Sequence, residues 1–217
     1  MTEAEWLVCE DPTEMLHNLP SPTERKQRLF GVACCRQNWD LLTDTRLQNV
    51  VVVAERLADD PVTEATRVET EVAAWEADDR IGDFPRHIEV VIPLVQRGYA
   101  VSSAEACARI FCESAEYYAE GSFEGLGEEL RTEQAVLTRC IFGNPFWPAH
   151  ILPAWLTSTV VSLANGIYSE RAFDRLPILA DALMDAGCDH ADVLDHCRSE
   201  GPHVRGCWVI DLLLGKC

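Results

Sequence analysis

Hydrophobic residues recur at helical spacing along most of this chain. In the clearest case, the segment 43–58, the residues Leu47, Val50, Val51, Ala54 and Leu57 mark one face of a helix. Comparable stripes occupy 29–42, 62–75, 88–95, 104–118, 126–141, 160–168 and 178–186. Because no segment alternates apolar and polar residues between hairpin turns, the pattern predicts an all-α fold. We expect an irregular or orthogonal bundle of about ten short helices, with an α-solenoid as the alternative.

Capping residues indicate where several of these helices begin and end. Thr2 and Glu5 form a capping-box pattern, and Asp11 stands directly before a proline, which suits the first position of a helix. Gly98 and Gly187 follow apolar stripes, so we expect each to end a helix in the left-handed conformation.

A proline-rich segment, 143–156, interrupts the helical pattern. It contains three prolines, two tryptophans and almost no charge, which indicates an extended apolar connector rather than a free linker. We therefore expect a single all-α domain over 1–217, in which this connector marks an internal boundary. An acidic helical part, 1–142, would precede it, and a Cys/His-rich helical part, 157–217, would follow.

Composition narrows the classes of function. The 217 residues are 47% hydrophobic, and 36 acidic side chains against 18 Lys and Arg give a net charge of -18. This charge disfavours direct binding of nucleic acid, whose phosphates need cations on the protein. No apolar run approaches the roughly 18 residues of a membrane span, and no signal-peptide pattern opens the chain, so we expect a cytoplasmic protein. Nothing in the sequence sets the oligomeric state.

The chain contains ten cysteines. Most lie on the apolar faces of predicted helices, Cys35 and Cys107 most clearly, whereas a disulfide framework is typical of short secreted chains. We expect most of these thiols to be reduced and buried, because free cysteine packs like a small hydrophobic residue.

Five segments of the chain resemble an uncharacterised group of paralogous proteins from planctomycete bacteria. They are Ala33–Arg36, Ile141–Phe146, Pro153–Thr157, Glu170–Pro177 and His203–Trp208. The resemblance spans the whole chain, is densest after residue 140, and implies no activity, fold or ligand. Trp147 stands where the group has a basic residue, so any basic contact made there in the group is absent in this chain.

Metal-binding side chains are concentrated near the carboxyl terminus. His203 and Cys207 are four residues apart in the predicted first turn of the last helix, 203–214, so they should face the same way. Cys188 lies in the loop before the preceding helix, and His196 or Cys197 ends that helix. These candidates could supply four ligands to zinc. The alternative is core packing, since paired CxxC motifs are absent and Cys197 continues an apolar stripe.

Four further residues are candidates for binding a partner. Trp147 and Trp155 lie in the apolar connector, and Arg171 and Arg175 precede a predicted helix that begins at a proline. The arginines could form a small basic recess for an acidic partner, or they could pair with nearby aspartates and hold the helices in register. Internal pairing is the expectation, because acidic residues outnumber arginines in this region.

No motif identifies a reaction. We expect a non-enzymatic cytoplasmic interaction or regulatory module that meets a protein partner through an acidic helical surface. A zinc-dependent or cysteine-based enzyme centred on the carboxyl-terminal Cys/His cluster is the first alternative. An acidic mimic of nucleic acid is the second.

Overall fold

The computed structural model describes residues 1–78, 91–96, 104, 106–109 and 126–216. These residues contain α-helices and short 3-10 turns and no strand, which confirms the predicted all-α bundle of short helices. The helices are α1 Glu3–Val8, α2 Pro12–His17, α3 Glu24–Gln37, α4 Thr45–Leu57, α5 Glu64–Asp78, α6 Leu126–Phe142, α7 Ser158–Glu170, α8 Leu176–Asp185, α9 Ala191–Arg198 and α10 Trp208–Leu214. None of these helices combines the length and apolarity needed to cross a membrane.

The predicted helix starts are present in the structure. The Thr2 hydroxyl accepts a hydrogen bond from the amide of Glu5, whose carboxylate in turn accepts one from the amide of Thr2. The Asp11 carboxylate accepts from the amides of Thr13 and Glu14 at 2.8 and 3.2 Å. Gly187 follows α8 with a φ of 86°, as predicted for a helix stop, whereas Gly98 lies outside the described residues.

Helix α6 contributes side chains to two large hydrophobic cores and to one small cluster. Leu137 and Ile141 pack in an amino-terminal core formed mainly by α3 and α4. Cys140 belongs to a carboxyl-terminal core formed by α7 to α10. Ala135 packs against Trp6 and Met15 of α1 and α2. One helix therefore holds the two parts of the chain side by side, and its last turn is where the two cores meet.

Charged residues also join the two parts. Arg25 of α3 donates to the Asp211 carboxylate of α10 at 2.7 and 3.1 Å and to Asp59 at 3.0 Å. The Tyr168 hydroxyl of α7 donates to Asp59 and accepts from Arg25 at 2.9 Å. Lys26 donates to the carbonyl of Gly206 at 2.6 Å and lies 2.6 Å from Asp211. These bonds fix α10 and the loop before it against α3.

Helix α5 turns the face of its predicted apolar stripe outward. Val68, Val72 and Trp75 are 43%, 51% and 51% exposed, whereas Ala74 and Ala77 of the opposite face are buried. Helix α5 packs on α4 through that opposite face, because small side chains let two helices approach closely. The stripe at 62–75 thus marks a helix correctly but not its buried side.

Candidate metal centre

Four side chains that can bind metal converge where the two cores meet. They are Cys140 in the last turn of α6, His196 in α9, His203 in the following loop, and Cys207 directly before α10. Their ligand atoms all lie within 4.8 Å of one another. No other group of this kind occurs among the described residues.

A tight turn brings His203 and Cys207 together. The amide of Cys207 donates to the carbonyl of Val204 at 3.0 Å, and Gly206 between them has a φ of 91°. A Cβ atom at Gly206 would lie 3.0 Å from the side chain of Leu29 in α3. Only glycine combines this backbone conformation with so close an approach to α3, so the turn depends on it.

The distances within the group are short and paired. His196 Nε2 lies 3.2 Å from Cys207 Sγ, and His203 Nδ1 lies 3.7 Å from Cys140 Sγ. His203 Nε2 lies 3.2 Å from the carbonyl oxygen of Ser199. A hydrogen bond donated from Nε2 to that carbonyl leaves Nδ1 unprotonated towards Cys140, which is the orientation of a metal-binding imidazole.

Aromatic packing holds the His196 ring in place. The rings of His196 and His203 meet nearly at right angles with centroids 4.8 Å apart. The ring of Trp208 lies 5.2 Å from that of His196 on another side. Both imidazoles are thus packed before any metal arrives, which lowers the ordering cost of binding.

The two thiols of the group differ in acidity. Burial raises the pKa of Cys207, but hydrogen bonds with Cys140, His196 and His203 outweigh it and hold that pKa well below the ordinary thiol value. The hydrogen bond to Cys207, together with burial, holds the pKa of Cys140 well above that value. Cys207 is therefore the more acidic thiol of the pair, and both sulfurs would bind a metal as thiolates.

Two thiolates and two imidazoles form a ligand set that can hold a tetrahedral metal ion. With metal–sulfur bonds of about 2.3 Å and metal–nitrogen bonds of about 2.0 Å, neighbouring ligand atoms in a tetrahedron lie roughly 3.3–3.8 Å apart. The two nitrogen–sulfur separations, 3.2 and 3.7 Å, lie on either side of the roughly 3.5 Å expected for such an edge, and every pair of ligand atoms lies within 4.8 Å. The group could therefore accept an ion once its widest pairs close by about 1 Å.

Three of the five metal candidates from the sequence lie in this group, and two do not. Cys188 and Cys197 are 5% and 0% exposed and pack in the carboxyl-terminal core. Burial raises the pKa of Cys197, as expected for a thiol among apolar side chains. These two residues therefore follow the core-packing alternative.

The sequence reasoning missed Cys140 and misplaced the last helix. Cys140 precedes His196 by more than fifty residues and stands one position before the apolar residue Ile141, which closes the α6 stripe. The one sequence signal that pointed to Cys140 was its place in the last turn of the helix before the predicted boundary at 143–156. His203 and Cys207 are not in a helix, because α10 begins at Trp208, and the Val204–Cys207 turn rather than helical spacing brings them together.

The partner-binding candidates occupy different environments. Trp155 is 5% exposed and packs in the carboxyl-terminal core, so it is not a surface residue. Arg171 pairs with the buried Glu55, and Arg175 lies 3.2 Å from Glu170. These partners are glutamates, whereas the sequence predicted aspartates.

Trp147, unlike Trp155, is mostly exposed, at 68%, and its indole donates to Glu3 at 3.1 Å. It lines a largely apolar cavity of about 440 Å³ that also includes Phe142, Trp208 and Leu212. Its part in partner binding stays a prediction.

The thiols are otherwise as predicted. None of the eight cysteines in the described part of the chain forms a disulfide bond, and all except Cys9 are buried. Cys35 and Cys107, the two clearest predictions, are both 0% exposed.

Comparison of the chain with family models, with curated proteins and with solved structures finds no match.

Proposed function

We propose that this protein is a zinc-stabilised interaction module without catalytic activity. In this proposal Zn²⁺ is bound by Cys140, His196, His203 and Cys207. The observation that carries the proposal is the convergence of these four ligand atoms, all within 4.8 Å of one another.

Zinc fits the ligands better than other common ions. Thiolate and imidazole are the ligands of structural zinc sites, whereas magnesium and calcium prefer oxygen. Zinc also imposes no geometry of its own, so it accepts the tetrahedron that these four ligands can form around it. An ion in this position would bond α6 to the loop before α10 and thereby join the two cores.

A structural role fits the site better than a catalytic one. Four protein ligands fill a tetrahedral ion, whereas a catalytic zinc keeps a position open for water or substrate. Cys207 and His196 also resemble the thiolate–imidazole pair of a cysteine enzyme, at 3.2 Å. Cys207 is 0% exposed, however, so a substrate would not reach its sulfur.

The outward face of α5 supports an interaction role. Val68, Val72 and Trp75 form an exposed stripe, and successive helical residues are rotated by about 100°. Glu69 and Glu76 therefore lie along one side of the stripe, and both are exposed. On the other side Glu64 and Glu71 pair with Arg67.

An apolar stripe with acidic borders suits a basic amphipathic helix of a partner protein. A mimic of nucleic acid would present acidic groups without this apolar centre, so the α5 face favours the protein partner.

Metal content tests the zinc proposal. Elemental analysis of the purified protein should find about one zinc ion per chain, as in a four-ligand site. Cys140→Ser and Cys207→Ser should each lose most of it. Cys188→Ser is the matched control, because Cys188 is a buried thiol of the same core outside the group. Absence of zinc from the wild type, or equal loss in the control, would exclude the proposal.

A defined peptide tests the interaction proposal. A helical peptide of leucine and lysine, labelled for fluorescence anisotropy, should bind the wild type and bind Trp75→Ala more weakly. Trp147→Ala is the control, since Trp147 is also exposed but lies away from α5. Equal effects of the two variants, or no binding to the wild type, would count against α5 as the contact face.

A further inference from the structure

A second cavity has His203 in its wall, and arginine side chains supply most of its charge. It has a volume of about 180 Å³, and its polar lining comprises Arg36, Arg171, Arg205 and Glu55 together with His203. The remaining walls are apolar and come from Leu29, Val32, Ala33, Phe173 and Val204. Three guanidinium groups around one small cavity are unexpected in a chain with a net charge of -18.

The carboxylates around this cavity do not balance its arginines. Arg36 and Arg171 both pair with Glu55, which is 3% exposed. The nearest described carboxylate to Arg205 is Asp59, at 3.9 Å. Asp59 already accepts hydrogen bonds from Arg25, Lys216 and Tyr168. Three guanidinium groups and one lining carboxylate therefore leave an excess of two positive charges at the cavity.

Two of the arginines also have buried donors without acceptors. The Nε atoms of Arg36 and Arg205 are buried, and neither has a hydrogen-bond partner among the described residues. Buried donors in folded proteins are normally satisfied, so these two atoms indicate an acceptor that the described residues do not supply.

Ring contacts hold the same two side chains in place. The guanidinium of Arg36 lies over Trp39 at 5.2 Å, and that of Arg205 lies over Tyr168 at 4.8 Å. A guanidinium fixed in this way loses little freedom when it binds a ligand. The arginines are therefore arranged for binding before a ligand enters.

We propose that this cavity binds a small oxyanion, a phosphoryl or carboxylate group, through Arg36, Arg171 and Arg205. The planar fork of arginine matches the oxygens of both groups, and charge-assisted hydrogen bonds are stronger where apolar walls exclude water. The volume suits a single such group, so the ligand is a small anion or the anionic end of a larger molecule.

The site is separate from the zinc ligands, although His203 contributes to both. Its arginines do not bind metal, and zinc content can be measured independently. Anion binding should be measured on the zinc-loaded protein and again after chelator treatment. Binding to the zinc-loaded protein would support the site. If no zinc is found, anion binding to the protein as purified still decides this proposal.

Isothermal titration with inorganic phosphate and with acetate, at ionic strength held constant with sodium chloride, tests the site directly. At least one of the two anions should bind in competition with chloride. The anion that binds more tightly shows whether the natural ligand carries a phosphoryl or a carboxylate group. Arg171→Gln should weaken binding about tenfold, the value of one charge-assisted hydrogen bond. Its side chain is 49% exposed, so this change leaves the fold intact.

Two further variants separate a specific site from general attraction. Arg205→Lys keeps the charge but loses the fork, and it should weaken binding severalfold. Arg198→Gln is the matched control, because Arg198 is also partly exposed and paired with one acid, Asp181, but does not line the cavity. Failure of both anions to bind the wild type at tens of millimolar, or equal weakening by Arg198→Gln and Arg171→Gln, would overturn the proposal.

Discussion

Substitution of Gly206 by alanine should damage the fold and the metal group together. The added methyl group would lie 3.0 Å from Cδ1 and 3.2 Å from Cβ of Leu29, which is 1% exposed. The Cβ of Leu29 is fixed to its helix, so the overlap with the added methyl group can be relieved only if the turn itself moves. Cys207 is the next residue, and its sulfur would move with the turn.

The magnitude follows from two contributions. A non-glycine residue at a φ of 91° is strained by about 1–2 kcal/mol. Overpacking against Leu29 adds about 1–3 kcal/mol. Gly206→Ala should therefore destabilise the protein by about 2–5 kcal/mol in total.

Gly187→Ala is the matched control for the backbone contribution. Gly187 has a similar φ of 86°, and a Cβ there would meet no atom within 4 Å. Gly187→Ala should therefore lower the free energy of unfolding by only about 1–2 kcal/mol.

Urea unfolding measures how much stability each variant loses, and zinc titration measures the effect on the metal group. Gly206→Ala should lose more stability and should bind zinc more weakly than Gly187→Ala. Equal stabilities of the two variants would refute the close approach of the turn to α3, and unchanged zinc affinity in Gly206→Ala would refute its role in placing Cys207.

Three other predictions concern the buried polar groups. Burial raises the pKa of Asp59, but hydrogen bonds from Tyr168 and Arg25 outweigh it and lower that pKa below 3.8. Ionised Asp59 should therefore stabilise the fold above the pKa that this carboxyl has in the unfolded chain, and the stabilisation should be lost as the pH falls below about 4. Urea unfolding at several pH values should show that acid lowers the free energy of unfolding less in Asp59→Asn than in the wild type. Tyr168→Phe should lose about 1–2 kcal/mol in the same assay at pH 7, because Asp59 and Arg25 both lose a hydrogen-bond partner; no loss would show that water replaces the hydroxyl. In chelator-treated protein, Cys207→Ser should cost about 1–3 kcal/mol by thermal or urea unfolding, because a buried thiol becomes a hydroxyl, and a neutral result would contradict its packing.

Local sequence signals predicted the helices because those signals act over a few residues. The capping box at Thr2 and Glu5 and the apolar stripe of α4 are both local, and both are present in the structure. The outward face of α5 was not predictable in this way. Its stripe of larger residues is more hydrophobic than the alanines opposite, yet the alanines are the side that α4 contacts.

The candidate site depends on contacts between distant parts of the chain. The spacing of His196, His203 and Cys207 was visible because one short segment carries all three. Cys140 joins them only because α6 is shared by both cores, and helical periodicity carries no information on that contact. Cys197 stands next to His196 in sequence, but adjacent residues point in different directions on a helix, so one enters the core and the other the metal group.

Cobalt substitution tests the central claim most directly, because Co²⁺ occupies tetrahedral zinc sites and reports their ligands by its absorption spectrum. We predict a single site with the intense visible bands of tetrahedral Co²⁺ and with thiolate charge-transfer absorption in the near ultraviolet. Cys140→Ser should reduce the charge-transfer intensity by about half, because one of two thiolate ligands is lost, and Cys188→Ser should leave it unchanged. A weak octahedral spectrum without thiolate bands, or a spectrum altered by Cys188→Ser but not by Cys140→Ser, would contradict the four-ligand centre.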